Sequence, residues 1–372
     1  LAVTVHVQDA MNVREVERYL RSILGEITVV GMTTLGKARS DTGAKGYGYG
    51  IPMRIDYRTG EGESKSAVLH TISPGAFGHE HMADRARELL WEYKAFNQLP
   101  RHIRAVDVGG VDPAGNIQSL GNVDELCLLT EYAEGQAYAR DFEGIGETGA
   151  MSGRDIDRAD ALCDYLVEIH RGRSDDVSKR AELYVRRIRE LVGDGECIMG
   201  LTDSYPRHPL IPVSMLEEIE HRAVRWRWKL KDYAHRLRQV HGDFHPWNIL
   251  FREGADFTVL DRSRGEYGDP ADDVTCLTLN YFFFSLRRDG RLQGNFERLF
   301  LRFWERYLES SGDREVLEVA APFFAFRGLV MASPVWYPAL SDAVRHRLLT
   351  FVLTVLEENR FDPGAMNRYC GA

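Results

Sequence analysis

The chain has 372 residues, 44% of them apolar, with 47 Lys and Arg against 56 Asp and Glu and a formal charge of −9. This length carries two domains or two lobes with a sizeable core, and the acidic balance argues against a general nucleic-acid or anionic-membrane binder, whose contacts rest on clustered Lys and Arg. Five scattered cysteines, Cys127, Cys163, Cys197, Cys276 and Cys370, form no CxxC pair and read as reduced thiols of a cytoplasmic protein rather than a disulfide framework or a zinc site.

Taken in chain order, the opening stretch LAVTVHVQDA is broken by polar residues and reads as no signal peptide. Residues 12–24 place Val16, Leu20, Ile23 and Leu24 on one helical face. ITVVGMTT predicts a strand. LGKARSDTGAKGYGYG is rich in glycine, and IPMRIDYRTGEGESKSAVLHTI predicts two strands around a turn. HMADRARELLWEYKAFNQL predicts a helix. RAVDVGGV and ELCLLTEY predict two further strands joined by a loop with Pro113, Gly115 and Gly121. After Tyr132 the strands nearly stop. DIDRADALCDYLVEIHRGR and the segment from Ser214 to Val240 read as helices, as does most of the chain from Thr275 to Asn359. The apolar run VTCLTLNYFFFSL is too short to span a bilayer and reads as a buried helix. Strands first and helices second predict an α+β chain with a small sheet lobe, residues 1–132, and a larger helical lobe, residues 133–372.

The stretch HGDFHPWNIL, residues 241–250, carries the chemistry. A short apolar strand follows it, then a turn, then FTVLD ending at Asp261. Such a hairpin brings Asp243, Asn248 and Asp261 to one end. That grouping suits phosphoryl transfer. A carboxylate orients the acceptor hydroxyl and takes its proton, and a carboxamide oxygen with a second carboxylate suits Mg²⁺, a hard ion that prefers oxygen. The transition state is loose, so positioning and charge neutralisation supply most of the catalysis. Protein kinases use the same H-x-D-x-x-x-x-N spacing followed by a metal-binding Asp.

HGDFHPWNIL followed by VLDRSRGEYGDPADDV resembles the aminoglycoside phosphotransferase and choline kinase group of small-molecule kinases, which have a protein-kinase-like fold. The resemblance spans roughly residues 27–285. It implies Asp243 as catalytic base, Asn248 and Asp261 as Mg²⁺ ligands, His241 as support for the catalytic loop, and Asp273 as the carboxylate that buttresses that loop from the next helix. LCDYLVEIHRGR is similar to the group's helix that ends in Leu-x-x-Leu-His. His245 reads as a loop-packing residue and Asp272 as a surface residue.

A kinase-like sheet lobe needs a phosphate-covering turn, a strand cation and a helix carboxylate to hold it. On the third strand, SAVLHTI, His70 stands where Lys is expected. His is shorter and only partly charged near neutral pH. Lys65 falls on the opposite face. Arg54, on the preceding strand, or Lys45, in the glycine-rich turn, are the alternatives to His70 as the phosphate cation. Glu92 is the expected helix carboxylate, with Glu88 one turn earlier. LLTEYAEG resembles the interlobe hinge, where Glu131 and Ala133 offer backbone groups to the purine.

The expected activity is transfer of the γ-phosphoryl of ATP or GTP, with Mg²⁺, to a hydroxyl of a small molecule: an aminoglycoside, a sugar or amino sugar, choline or homoserine. No nucleic-acid or membrane partner is expected. The substitution at His70 motivates a second reading, a pseudokinase that binds nucleotide without turnover. A protein kinase is disfavoured because GDPADD follows Asp261 too closely for a long activation segment. The acidic clusters at 266–273 and 357–358 read as solvated helix ends and caps. Trp304, Tyr307, Phe323, Phe324, Phe326, Trp336 and Tyr337 read as core, and the basic stretch HRAVRWRWKLKDYAHRLR as a packed amphipathic helix rather than a nucleic-acid surface.

Overall fold

The structure, a computed structural model, describes residues 12–35, 52–75, 78–98, 103–123, 125, 128, 130–174, 179–264 and 266–371. Lys45 and most of the glycine-rich turn lie outside the described residues. The chain divides into two compact units, Leu1–Thr130 and Glu131–Ala372.

In the first unit, helix α1 (Val13–Leu24) begins where the Asn12 side chain accepts the Glu15 amide at 3.1 Å. Such a side-chain acceptor satisfies one of the free N–H groups at a helix start. Gly25 ends the helix at φ 82°, a conformation open to glycine. Strands β1 (Ile27–Thr34), β2 (Met53–Thr59) and β3 (Ser64–Leu69) form an antiparallel meander. Ile27 faces Thr59 across one pairing and Met53 faces Leu69 across the other. Side chains alternate across a strand. Ile55 and Tyr57 therefore turn inward to meet Val16, Tyr19 and Leu20 of α1 in a small core. Helix α2 spans Met82–Phe96.

One of the expected strands differs from the structure, and part of another lies outside the described residues. Only Gly109–Val111 (β4) of RAVDVGGV is extended and paired, and its partner is Ile117–Ser119 (β5). The described residues of ELCLLTEY form no strand. The turn between β4 and β5 decides the pairing. Asp112 Oδ1 accepts the amides of Ala114 and Asn116, each at 2.9 Å. That is the local bonding by which an Asp folds its own backbone back.

The second unit opens with β6 (Gln136–Ala137) and α3 (Ala139–Thr148), followed by α4 (Gly153–Ile169). Ser152 and Asp155 close the start of α4 as a reciprocal capping box. Helices α5 (Arg180–Gly193), α6 (Ile198–Ser204) and α7 (Val213–Leu230) follow, with a 3₁₀ turn over Lys231–Arg236 and strand β7 (Arg238–Gln239). The long amphipathic helix read from the sequence thus ends at Leu230. Trp226, Leu230, Leu237 and Val240 are buried and Tyr233 is partly buried.

Strands β8 (Ile249–Phe251) and β9 (Phe257–Val259) form a hairpin, with β6 on the other edge of β8, and β10 (Tyr267–Gly268) pairs with β7. Helix α8 (Pro270–Asp289) is buried at every residue from Pro270 to Leu286. A helix covered on all sides needs no polar face, which accounts for the absence of charged residues from Val274 to Leu286. Helices α9 (Gly294–Ser311), α10 (Val316–Ala332), α11 (Asp342–Glu357) and the short α12 (Met366–Tyr369) complete the unit. Trp304, Tyr307, Phe323, Phe324 and Phe326 are core, whereas Trp336 is exposed. Among the described residues no helix is long and apolar enough to cross a membrane.

Candidate functional site

The loop between β7 and β8 is held by backbone bonds from one buried carboxylate. Asp273, in the first turn of α8, accepts the His241 amide at 2.8 Å through Oδ2 and the Gly242 amide at 2.7 Å through Oδ1. Its Oδ2 also meets His170 Nε2 at 3.0 Å. A carboxylate only accepts, so His170 donates from Nε2, and its Nδ1 is hydrogen-bonded with the Tyr307 hydroxyl at 2.8 Å. Burial opposes ionisation of Asp273, but the His170 bond and the His241 amide hold its carboxyl below the usual range. The helix that ends at His170 and the helix that starts before Asp273 thus meet under one loop. His241 is buried, and its Nδ1 accepts the Asp243 amide at 3.3 Å. Gly242 sits at φ 87°, and a Cβ there would meet Arg264 Cβ at 3.1 Å.

Asp243 is partly buried. Its Oδ1 accepts from Arg327 Nη1, Arg264 Nε lies 3.9 Å from the same oxygen, and His245 Nε2 lies 3.6 Å from Oδ2. Burial alone would raise the Asp243 carboxyl, but Arg327, His245 and Arg264 bring it below its ordinary value. His245 caps the 3₁₀ turn Pro246–Asn248, its Nδ1 accepting the Trp247 amide at 3.2 Å. Burial lowers its imidazole.

Asn248 and Asp261 come together through the hairpin register. Ile249 faces Val259, and the Asn248 carbonyl accepts the Leu260 amide at 2.8 Å, so Asn248 stands beside the residue that precedes Asp261. Asn248 Nδ2 donates to the Asp243 carbonyl at 3.1 Å. That bond turns the carboxamide so that Oδ1 is left to accept. Asp261 is exposed at φ 56°, and its Oδ1 accepts the Ser263 amide at 3.1 Å. An amide oxygen beside a carboxylate suits a hard divalent cation. Among the described residues no three His, Cys, Asp or Glu side chains gather into a metal cluster. A cleft of about 240 Å³, lined in part by Tyr165, His241 and Asp261, adjoins this end of the hairpin.

The acidic segment at 266–273 is not the solvated helix end expected from the sequence. Asp269, Asp272 and Asp273 are all buried. Asp269 caps α8 through the Ala271 amide at 2.9 Å. It also takes both Arg236 Nε and Nη2 at 2.9 Å and the Tyr184 hydroxyl at 2.7 Å. Asp272, read as a surface residue, accepts Arg327 Nη2 at 2.9 Å. A buried carboxylate is tolerable only when paired and hydrogen-bonded, and the partners lie far off in sequence. Arg236 and Arg327 are the residues that sequence reasoning missed. A lone Arg inside the apolar run FFAFRGLVM was the available signal.

The remaining expected residues lie at the first unit and the start of the second. His70 follows β3 and is exposed. Arg54 is exposed too, with Nε on Asp56 at 2.8 Å and Nη2 on the Ser66 hydroxyl at 3.2 Å. Glu92 lies on α2, one turn beyond Glu88, whose Oε2 meets His79 Nε2 at 2.5 Å. Glu131 and Ala133 lie outside any helix or strand.

The chain is of the α+β class, with a small antiparallel sheet unit and a larger helical one, and its family makes it a small-molecule kinase. The profile of the Phosphotransferase enzyme family matches residues 80–314, more than half of the chain, and the chain belongs to that family. It is similar to the solved structure of an amicoumacin kinase in complex with AMP-PNP, Ca²⁺ and Ami, at 14% identity and TM-score 0.41 over 98% of this chain and 100% of that one. A Plasmodium vivax ethanolamine kinase matches at 11% identity and TM-score 0.35, over 98% of this chain and 83% of that one. An aminoglycoside phosphotransferase from Streptomyces rimosus matches at 15% identity and TM-score 0.32, over 84% and 99%. No curated protein matches by sequence. At these identities the solved structures do not inform the acceptor.

Proposed function

We propose that the chain transfers the γ-phosphoryl group of ATP or GTP, with Mg²⁺, to a hydroxyl of a small molecule. The observation that supports this reading is the loop backbone held by Asp273, in which the Asp243 carbonyl accepts from Asn248, itself paired with Leu260, the residue before Asp261. Asp243 acts as base. The acceptor oxygen forms a bond to the γ-phosphorus, the bond from that phosphorus to the bridging oxygen breaks, and the nucleoside diphosphate leaves. The acceptor proton passes to Asp243 Oδ2, the oxygen that Arg327 does not take. Asn248 Oδ1 and Asp261 would hold Mg²⁺, which neutralises phosphate charge when bound. His241 and Asp273 support the loop.

Residues 1–132 supply the nucleotide-binding groups and residues 133–372 the catalytic ones. Arg54 is engaged by Asp56 and Ser66, which favours His70 and Lys45 as the phosphate cation. Glu92 is the helix carboxylate, and the backbone of Glu131 and Ala133 meets the purine. Cys163, Cys197 and Cys276 are buried thiols, in keeping with a reducing cytoplasm. The exposed His70 at the end of β3 favours a second reading, a pseudokinase.

The test incubates the protein with ATP or GTP and Mg²⁺ against ethanolamine, choline, glucosamine, homoserine and gentamicin, and measures diphosphate release and acceptor phosphorylation. Turnover on one acceptor is expected, falling about 10²–10⁴-fold in Asp243→Asn. A folded Asp243→Asn variant with full turnover removes Asp243 as base. Mg²⁺-dependent nucleotide binding with no turnover on any acceptor or on water supports the pseudokinase.

A further inference from the structure

Arg327 has no evident reason to be where it is if α10 is only a core helix. It is the one charged residue between Val319 and Ala332, and it is 5% exposed. Burying a guanidinium costs several kcal/mol unless it is paired and hydrogen-bonded. Its two terminal nitrogens are both committed. Nη1 donates to Asp243 Oδ1, and Nη2 donates to the Gly242 carbonyl at 2.8 Å and to Asp272 Oδ1 at 2.9 Å. Its Nε, by contrast, is buried without a partner. Two of its three bonds go to the catalytic loop, so the side chain is placed for the loop rather than for its own full satisfaction. The planar fork makes this possible, because one guanidinium can hold a carboxylate and a carbonyl at fixed separation.

We propose that Arg327 is a positioning residue for phosphoryl transfer. It occupies one oxygen of Asp243 and the preceding carbonyl, and so leaves the second carboxylate oxygen facing the acceptor hydroxyl. This role rests on Asp243 being the base. Asp273 takes the loop N–H groups from α8 and Arg327 takes the loop carbonyl from α10, so Gly242 is fixed through both of its backbone groups, one from each helix. Asp272 anchors the guanidinium in turn. Phe326 lies against it, 4.5 Å from ring centre to guanidinium carbon, and the same ring meets Arg264 at 4.9 Å. The two cations next to Asp243 are therefore spaced by one aromatic side chain.

The test uses Arg327→Lys and Arg327→Met in the full chain, with Arg345→Met as a control. Arg345 is a buried arginine that donates to the carbonyls of Ala332, Tyr337 and Leu340, away from the loop. Hydrogen exchange by mass spectrometry is followed over 241–245 and over the rest of the second unit. Steady-state turnover is measured with MgATP and the acceptor found above, or with water as acceptor, and binding of AMP-PNP with Mg²⁺ by calorimetry. Arg327→Met should speed exchange over 241–245 by about tenfold or more with little change elsewhere. It should lower kcat by up to about 10²-fold, the scale of a misplaced reacting group, with nucleotide affinity unchanged. Arg327→Lys should recover part of kcat.

Wild-type exchange over the loop in Arg327→Met, or general loosening like that of Arg345→Met with kcat retained, overturns the proposal. Should Asp243→Asn keep full turnover, the base assignment fails and the proposal with it. Should Asp243→Asn be inactive while Arg327→Met keeps wild-type kcat, the positioning role alone fails.

Discussion

Replacing Asp273 by Asn changes one oxygen to an amide and should loosen the site without altering its shape. The carboxylate receives three bonds, two at Oδ2 from the His241 amide and His170 and one at Oδ1 from the Gly242 amide. An Asn side chain keeps its oxygen where two donors meet, which turns its NH₂ toward the Gly242 N–H. One charge-assisted bond is lost outright, at roughly 1.5–3 kcal/mol, and the two that remain lose their ionic component at about 1 kcal/mol each. The sum is about 3–5 kcal/mol. For a unit of this size each kcal/mol moves the melting temperature by roughly 2–4 °C, so the variant should melt about 6–20 °C lower by scanning calorimetry. Turnover should fall with it, because the freed amides are those of the loop that carries Asp243. A variant that melts within about 2 °C of wild type and keeps its turnover would refute the claim that Asp273 holds the loop.

The pH dependence of that gap is a second check. Asp273 titrates below its ordinary range in the folded protein despite its burial. A depressed folded value gives stability that is present above the unfolded carboxylate range, about 3.9, and is lost as pH falls through the folded value. The melting difference between wild type and Asp273→Asn should thus be constant above about pH 5 and shrink progressively below it; a gap independent of pH down to acid unfolding would contradict this. Arg236→Met should cost about 3–5 kcal/mol, since it strands the Asp269 carboxylate, and a melt within about 1 kcal/mol of wild type would show that the pair contributes little. His70→Lys should raise turnover if the strand position limits catalysis, whereas unchanged turnover would transfer the phosphate-binding role to Lys45 or Arg54.

Much of the site was legible because its residues are close in sequence. Asp243 and Asn248 sit on one loop, and the hairpin that follows brings Asp261 back to it through the pairing of Ile249 with Val259. Short strands and a tight turn leave such a chain few ways to fold. The strand expectation failed where turn chemistry decided. Asp112 bonds its own following amides and makes a local hairpin out of residues 109–119. The solvated reading of the acidic segment failed for a different reason. An Asp cluster at a helix start is a capping signal whether the helix is exposed or buried, and only its partners distinguish the two.

By itself, then, the sequence determined the α+β order of elements, the loop with its proposed base and candidate metal oxygens, and the buried character of α8, because each follows from local spacing or from periodicity. Tertiary structure alone decided that Asp269 meets Arg236 and Tyr184, that Asp272 and Asp243 share Arg327, and that His170 stands beneath Asp273. These contacts join residues 33 to 103 positions apart. Charges can be buried in this way only when folding delivers a partner to each, and spacing along the chain holds no record of which partner arrives.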